Sequence, residues 1–201
     1  MTTWWHEERL RAVTDTLREG TAARVLDLGC GDGDLFVRLA ADPAIAELVG
    51  IDICEKSLET LQSRLEITTG AVDVRLGSMT EPDPDLAGFD CALLVETIEH
   101  VDPDRLSRLE RALFVTLRPG RVVITTPNAE FNALLGVPRG RFRHPDHRFE
   151  WDRARFRRWG RRAARAAGYG VTFRDIAGRH PVLGGASQMA VFRRDGAQAG
   201  V

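Results

Sequence analysis

The 201-residue sequence has no run approaching the roughly 18 consecutive apolar residues that a membrane helix needs. Its opening, Met1-Thr-Thr-Trp-Trp-His-Glu-Glu, carries acids where a secretory leader would carry basic residues. A soluble, cytoplasmic protein with no membrane partner is expected. Cysteine is scarce: Cys30, Cys54 and Cys91 are odd in number and lack C-x-x-C spacing, which argues against a disulfide framework and a sulfur-based zinc site. They are expected as reduced, packed thiols. No internal repeat and no linker interrupts the chain. Charge of one sign is not in excess either, with 28 basic against 29 acidic residues and a net charge of −1.

What is present fits one domain with a full core, since 43% of the residues are hydrophobic and domains run to roughly 100–200 residues. The balanced charge hides an asymmetry. Between Arg139 and Arg165 stand eleven arginines against three acids, Asp146, Glu150 and Asp152, a local balance of +8. Such a concentration attracts polyanions, and the arginine fork suits phosphate. Read one at a time, many of these arginines fit a solvated helix face equally well.

Apolar periodicity predicts an amphipathic leading helix from Trp5 to about Glu19, with Trp5, Leu10, Val13 and Leu17 inward. Strands are predicted at 24–29, 47–52, 72–76, 91–95 and 121–126. Helices fall between them at 33–41, 54–65 and 103–117, the last with Asp102 as N-cap and Pro103 in its first turn. This alternation requires crossover helices, and so predicts a doubly wound α/β fold with a mostly parallel sheet. After Pro127 comes an insertion rich in Gly, Pro and Arg, at about 128–151, proposed to bind substrate. An arginine-covered helix follows at 152–167, with Phe156, Trp159, Ala163 and Ala167 on its inner face, and then two closing strands at 171–175 and 188–193. All of 1–201 is read as a single seven-stranded domain.

The first strand ends in Leu26-Asp27-Leu28-Gly29-Cys30-Gly31-Asp32-Gly33-Asp34. A dinucleotide fingerprint wants glycine where Asp34 stands and places a pyrophosphate on the helix N-terminus, which Asp32 and Asp34 would oppose. A ligand with positive charge suits them better. The D-x-G-x-G-x-G loop, followed by Asp52 at the next strand end, resembles the class I S-adenosylmethionine-dependent methyltransferases, which have a Rossmann-like fold. By that resemblance Asp27, Gly29, Gly31 and Gly33 hold the amino-acid portion of S-adenosylmethionine. Asp52, followed by Ile53, accepts the ribose hydroxyls, and Ser78 and Met79 line the adenine.

The fourth strand ends in Val95-Glu96-Thr97-Ile98-Glu99-His100-Val101-Asp102, at the edge where this fold binds ligand. Neighbouring carboxylates repel and raise one another's pKa unless a cation sits between them. A mixed carboxylate and imidazole set suits magnesium or manganese, with cobalt also accommodated, better than structural zinc. Together E-x-x-E-H and Asp146-His147-Arg148-Phe149-Glu150-Trp151 resemble the small-RNA 3′-terminal 2′-O-methyltransferases of the HUA-enhancer type. The likeness runs from Trp5 to Phe192.

The resemblance implies Glu96, Glu99, His100 and His147 as metal ligands, with Glu99, His100 and His147 counted as catalytic. His144 falls outside the matched set and is read as a residue supporting the ligands, an RNA contact or an auxiliary base. The resemblance further implies methyl transfer from S-adenosylmethionine to the 2′-hydroxyl of an RNA 3′ end. The arginines would then lie on the preceding phosphates, and Phe142, Phe149 and Trp151 fit either stacking of the last base or the core. Bacterial relatives of this kind carry an additional N-terminal region and work with a polynucleotide kinase-phosphatase in RNA repair, whereas this chain is expected to begin at the catalytic domain. Two other readings stand beside this one: a metal-assisted O-methyltransferase acting on a catechol-like small molecule, and a non-catalytic RNA-binding subunit.

Overall fold

The structure, a computed structural model, describes residues 4–196. Its strands are β1 (Arg24–Leu28), β2 (Glu47–Asp52), β3 (Ala71–Leu76), β4 (Cys91–Val95), β5 (Arg121–Pro127), β6 (Tyr169–Ile176) and β7 (Ser187–Arg194). They form one sheet in the order β3-β2-β1-β4-β5-β7-β6. The first five run parallel, and β7 lies antiparallel between β5 and β6. Parallel strands covered on both faces read as continuous apolar runs, which is why Ala92, Leu93 and Leu94 of β4 are all fully buried.

Two helical layers provide that cover. On one face α1 (Trp4–Arg18), α2 (Phe36–Ala40) and α3 (Glu55–Arg64) bring Leu10, Val13, Phe36, Leu39 and Leu61 against Val25, Leu93 and Val123. On the other, α4 (Leu106–Arg111) and α5 (Arg153–Ala167) bring Leu109, Phe156 and Trp159 against Leu26, Leu94 and Ile124. Each such side chain contributes about 1.5–3 kcal/mol on burial. Strand order reverses between β1 and β4, so their carboxyl ends open the crevice where this fold takes ligands. Among the described residues no helix is long and apolar enough to cross a membrane.

Three sequence expectations need correction. The helix expected from Pro103 to Leu117 is a 3₁₀ turn at Pro103–Arg105, then α4, then a π-helical stretch at Ala112–Leu117. The wider turn brings Ala112, Leu113, Phe114 and Leu117 all into the core. Asp102 stands at the expected N-cap position with Pro103 after it, but its carboxylate makes no capping bond and faces Arg148 Nε at 3.3 Å instead. Cys30 and Cys91 are packed thiols, but Cys54 stands exposed at the cap of α3, past the strand end that would have buried it.

After β5 the chain leaves the sheet and returns through a bridge between Asn128 and Trp151. Asn128 Nδ2 donates to the carbonyls of Leu183 and Gly185, fixing one end of this excursion to the β6–β7 connection. Its interior is held by Arg143, which donates to Asn132 Oδ1 and to the carbonyls of Ala186 and Asn128.

Candidate active site

The glycine loop is bent by backbone geometry that side chains resist: Gly29, Gly31 and Gly33 have φ of 85°, 55° and 89°. A Cβ on Gly29 would also collide with the Thr97 methyl, so the loop after β1 lies directly against the segment after β4. Asp52 is held from both sides, accepting from the Gly31 N–H and the Cys54 N–H at 2.9 Å each. Its remaining lone pairs suit a pair of hydroxyl donors. The Gly77 N–H bonds the Asp52 carbonyl, placing Ser78 and Met79 beside it, and Met79 reaches within 3.7 Å of the position a Gly29 Cβ would take. Ile53 is exposed at the same edge.

Asp27 is buried at the end of this crevice, and burial together with the Asp52 charge pushes its carboxyl up to about 7. A buried carboxylate of this kind gains from a cationic ligand. Asp34, expected to face such a ligand, is instead paired within the protein, to Arg64 Nη2 at 2.7 Å and His6 Nε2 at 3.0 Å. Asp27 and the exposed Asp32, whose carboxylate comes no nearer than 4.0 Å to Arg64, remain as the loop's acceptors beside the crevice.

At the end of β4 the chain turns sharply, with Glu96 at φ 54°, into the 3₁₀ turn Ile98–His100. That turn points Glu99 inward and His100 outward. Glu99 Oε2 accepts from Thr126 Oγ1 at 2.9 Å, while Oε1 is buried with no protein partner. Burial, added to by the Glu96 charge, holds its carboxyl well above the ordinary range. The Arg148 N–H bonds the Glu99 carbonyl at 2.7 Å and so draws His147 alongside. Glu99, His100 and His147 then each present a ligand atom within 4.8 Å of the others. Partial burial and the neighbouring His147 and His144 lower the pKa of His100, which favours the neutral imidazole that a metal requires.

The other expected residues fall around this group. Glu96 lies outside it, with Oε2 taken by Arg9 Nη1 at 3.0 Å and by Ser187 Oγ at 3.2 Å. His144 stands on the solvent side, its ring centroid 5.7 Å from that of His147 and 6.1 Å from that of His100. Phe149 and Trp151 are not available to a base: they are 6% and 3% exposed and stacked on each other at 4.3 Å. Phe142, 47% exposed, remains accessible.

Two site residues had no role assigned from sequence. Glu150 accepts from His147 Nδ1 at 2.6 Å, and also from Asn132 Nδ2 and the Arg143 N–H. Against the cost of burial, these bonds hold its carboxyl below the ordinary range. Its place in the D-H-x-F-E-W stretch was the available signal. Arg9, 87 residues from Glu96, had none.

The strand order, the glycine loop and the acid at the end of β2 define a class I methyltransferase fold of the S-adenosylmethionine-dependent type. A methyltransferase-domain family model matches residues 25–120. The crystal structure of the methyltransferase domain of bacterial CtHen1-CN superposes with a TM-score of 0.84 at 33% identity, covering 94% of this chain and 99% of that one. The small RNA 2′-O-methyltransferase of Rattus norvegicus is 38% identical over 95% of this chain and 51% of its own length. A chain in the structure of the Pnkp1/Rnl/Hen1 RNA repair complex, 22% identical over 96% of this chain and 42% of that one with a TM-score of 0.72, shares the fold. The chain belongs to the small-RNA 2′-O-methyltransferase family. It spans about half the length of the rat relative.

Proposed function

We propose that this chain transfers a methyl group from S-adenosylmethionine to the 2′-hydroxyl of the 3′-terminal nucleotide of an RNA, with a divalent cation, magnesium or manganese, held by Glu99, His100 and His147 and joined by Glu96. The observation that carries this reading is the buried Glu99 carboxylate, its Oε1 unpartnered, grouped with two imidazoles at the crevice where the glycine loop meets the end of β4. A buried acceptor left unpaired costs about 1–3 kcal/mol, and a cation removes that cost.

The residues divide the work. Asp27 and the glycine loop receive the amino-acid portion of the methyl donor, Asp52 its ribose, and Ser78 and Met79 its adenine. Glu99, His100 and His147, joined by Glu96, would hold the ion and leave it free to contact the two adjacent hydroxyls of a terminal ribose. A divalent ion in such a site lowers the pKa of a hydroxyl it contacts. Glu150 keeps the proton on His147 Nδ1, so that Nε2 presents its lone pair. His144, on the solvent side, is placed to take up the hydroxyl proton. Exposed arginines of the 139–165 segment grip the preceding phosphates, positioning the strand without reading its sequence.

Only a free 2′,3′-diol fits this arrangement. A polynucleotide kinase-phosphatase is a fitting partner, because removing a terminal phosphate creates that diol. The test is methyl transfer to oligonucleotides identical except at the 3′ end. RNA ending in a diol is methylated at the 2′ oxygen, with activity lost in chelator and restored by Mn²⁺. Ends carrying a 3′-phosphate, a 2′-O-methyl or a 2′-deoxy sugar are not. Methylation of the 2′-deoxy end, or activity indifferent to chelator, would reject the reading.

A further inference from the structure

The ion pair between Arg9 and Glu96 places a cation of α1 in the crevice. Both side chains are only 17% exposed, and Arg9 Nη1 touches Glu96 Oε2 and Ser187 Oγ while Nη2 meets His6 Nδ1 at 3.0 Å. His6 reaches Asp34 of the glycine loop in turn. Arg9, His6 and Glu96 line a cavity of about 190 Å³ together with Asp27, Gly29 and Gly31. One cationic side chain thus bridges the space read above as the amino-acid pocket and the carboxylate read above as a metal ligand. Polar atoms on both partners, Arg9 Nε and Glu96 Oε1, are buried with no partner, so each side has capacity for another contact.

The amino-acid portion of S-adenosylmethionine carries a carboxylate as well as an ammonium. Asp27 suits the ammonium and repels the carboxylate, whereas a guanidinium takes a carboxylate with two parallel hydrogen bonds. A metal ion and Arg9 would compete for Glu96, and two cations sharing one carboxylate repel. We propose that Arg9 exchanges between two anions: it neutralises Glu96 when the crevice holds no ligand, and moves to the cofactor carboxylate when cofactor binds, freeing Glu96 for the metal. Cofactor and metal binding are then positively coupled. This rests on the metal reading of Glu96 given above.

Coupling of two ligands is reciprocal, typically about 5–150-fold. Titration calorimetry with S-adenosylhomocysteine and Mn²⁺, each alone and in the presence of the other, reads it directly. The unsubstituted chain binds Mn²⁺ at least about fivefold more tightly with S-adenosylhomocysteine present, and the reverse by the same factor. Arg9→Ala binds S-adenosylhomocysteine about tenfold more weakly, binds Mn²⁺ alone more tightly, and shows no coupling. Glu96→Gln, an isosteric change that guards against misfolding of the first variant, binds S-adenosylhomocysteine more tightly in the absence of metal. A plain structural ion pair would lower thermal stability in both variants and move none of these affinities. Mn²⁺ binding without coupling would overturn the exchange alone; binding of S-adenosylhomocysteine with no Mn²⁺ binding at all would overturn the metal reading and the exchange with it.

Discussion

His147 Nδ1 and Glu150 Oε1 lie 2.6 Å apart with side chains only 8% and 1% exposed, a buried carboxylate–imidazole pair on a surface excursion. Such a partner fixes which ring nitrogen carries the proton and aims the other at the centre of the site. Glu150→Ala lowers metal affinity and methyl transfer by about 10–100-fold. Glu150→Gln, whose amide oxygen can still accept from Nδ1–H, loses less affinity than the alanine variant. Equilibrium Mn²⁺ binding separates the two. Equal, wild-type affinities would mean that Glu150 only braces Asn132 and Arg143.

Asp27 makes cofactor affinity depend on pH. Its folded-state pKa, pushed up to about 7 by burial and by Asp52, lies above the ordinary aspartate value near 4. Between those values the folded chain holds a proton that the unfolded chain has released, so this group's contribution to stability falls as pH rises from about 4 to about 7. An ammonium ligand favours the ionised form. Affinity for S-adenosylhomocysteine therefore increases as pH rises through about 7, and Asp27→Asn both weakens binding and flattens this dependence. Calorimetric titrations from pH 5.5 to 8.5 would show a flat wild-type profile if Asp27 did not face the cofactor.

The eleven arginines divide into structural and free members. Arg143 is largely buried and fully engaged with backbone carbonyls and Asn132, so Arg143→Ala costs about 2–4 kcal/mol of stability by chemical denaturation. Arg158 and Arg165, exposed on α5, make no ion pair or hydrogen bond among the described residues. Changing either to Ala shifts stability by less than about 0.5 kcal/mol, yet weakens RNA binding and reduces its salt dependence by close to one unit of slope. An unchanged salt slope would place the RNA on another face.

Much of this was legible in the chain itself. Strands β2 and β4 fall at the predicted 47–52 and 91–95, because strands buried on both faces carry continuous apolar runs, here 48–51 and 91–95, that stand out in the sequence. The glycine loop and the E-x-x-E-H stretch are local patterns, and the parallel topology forces them together. What local pattern could not reveal depends on contacts between distant segments. Glu96 and Glu99 share a three-residue spacing, yet one meets Arg9 of α1 while the other is buried against Thr126 of β5. Phe149 and Trp151 carry the same aromatic signal as Phe142, and only packing against the α5 layer separates core from surface. The π-helical stretch after α4 is likewise set by what the core must receive, which the proline-led helix signal does not encode.

Anomalous diffraction from crystals of this chain soaked in Mn²⁺ and S-adenosylhomocysteine tests the central claim most directly. The account predicts one manganese peak touching a Glu99 carboxylate oxygen, a His100 ring nitrogen and His147 Nε2, with Glu96 turned from Arg9 toward the ion. A peak elsewhere, or no peak while Glu99 remains paired only to Thr126, would contradict it.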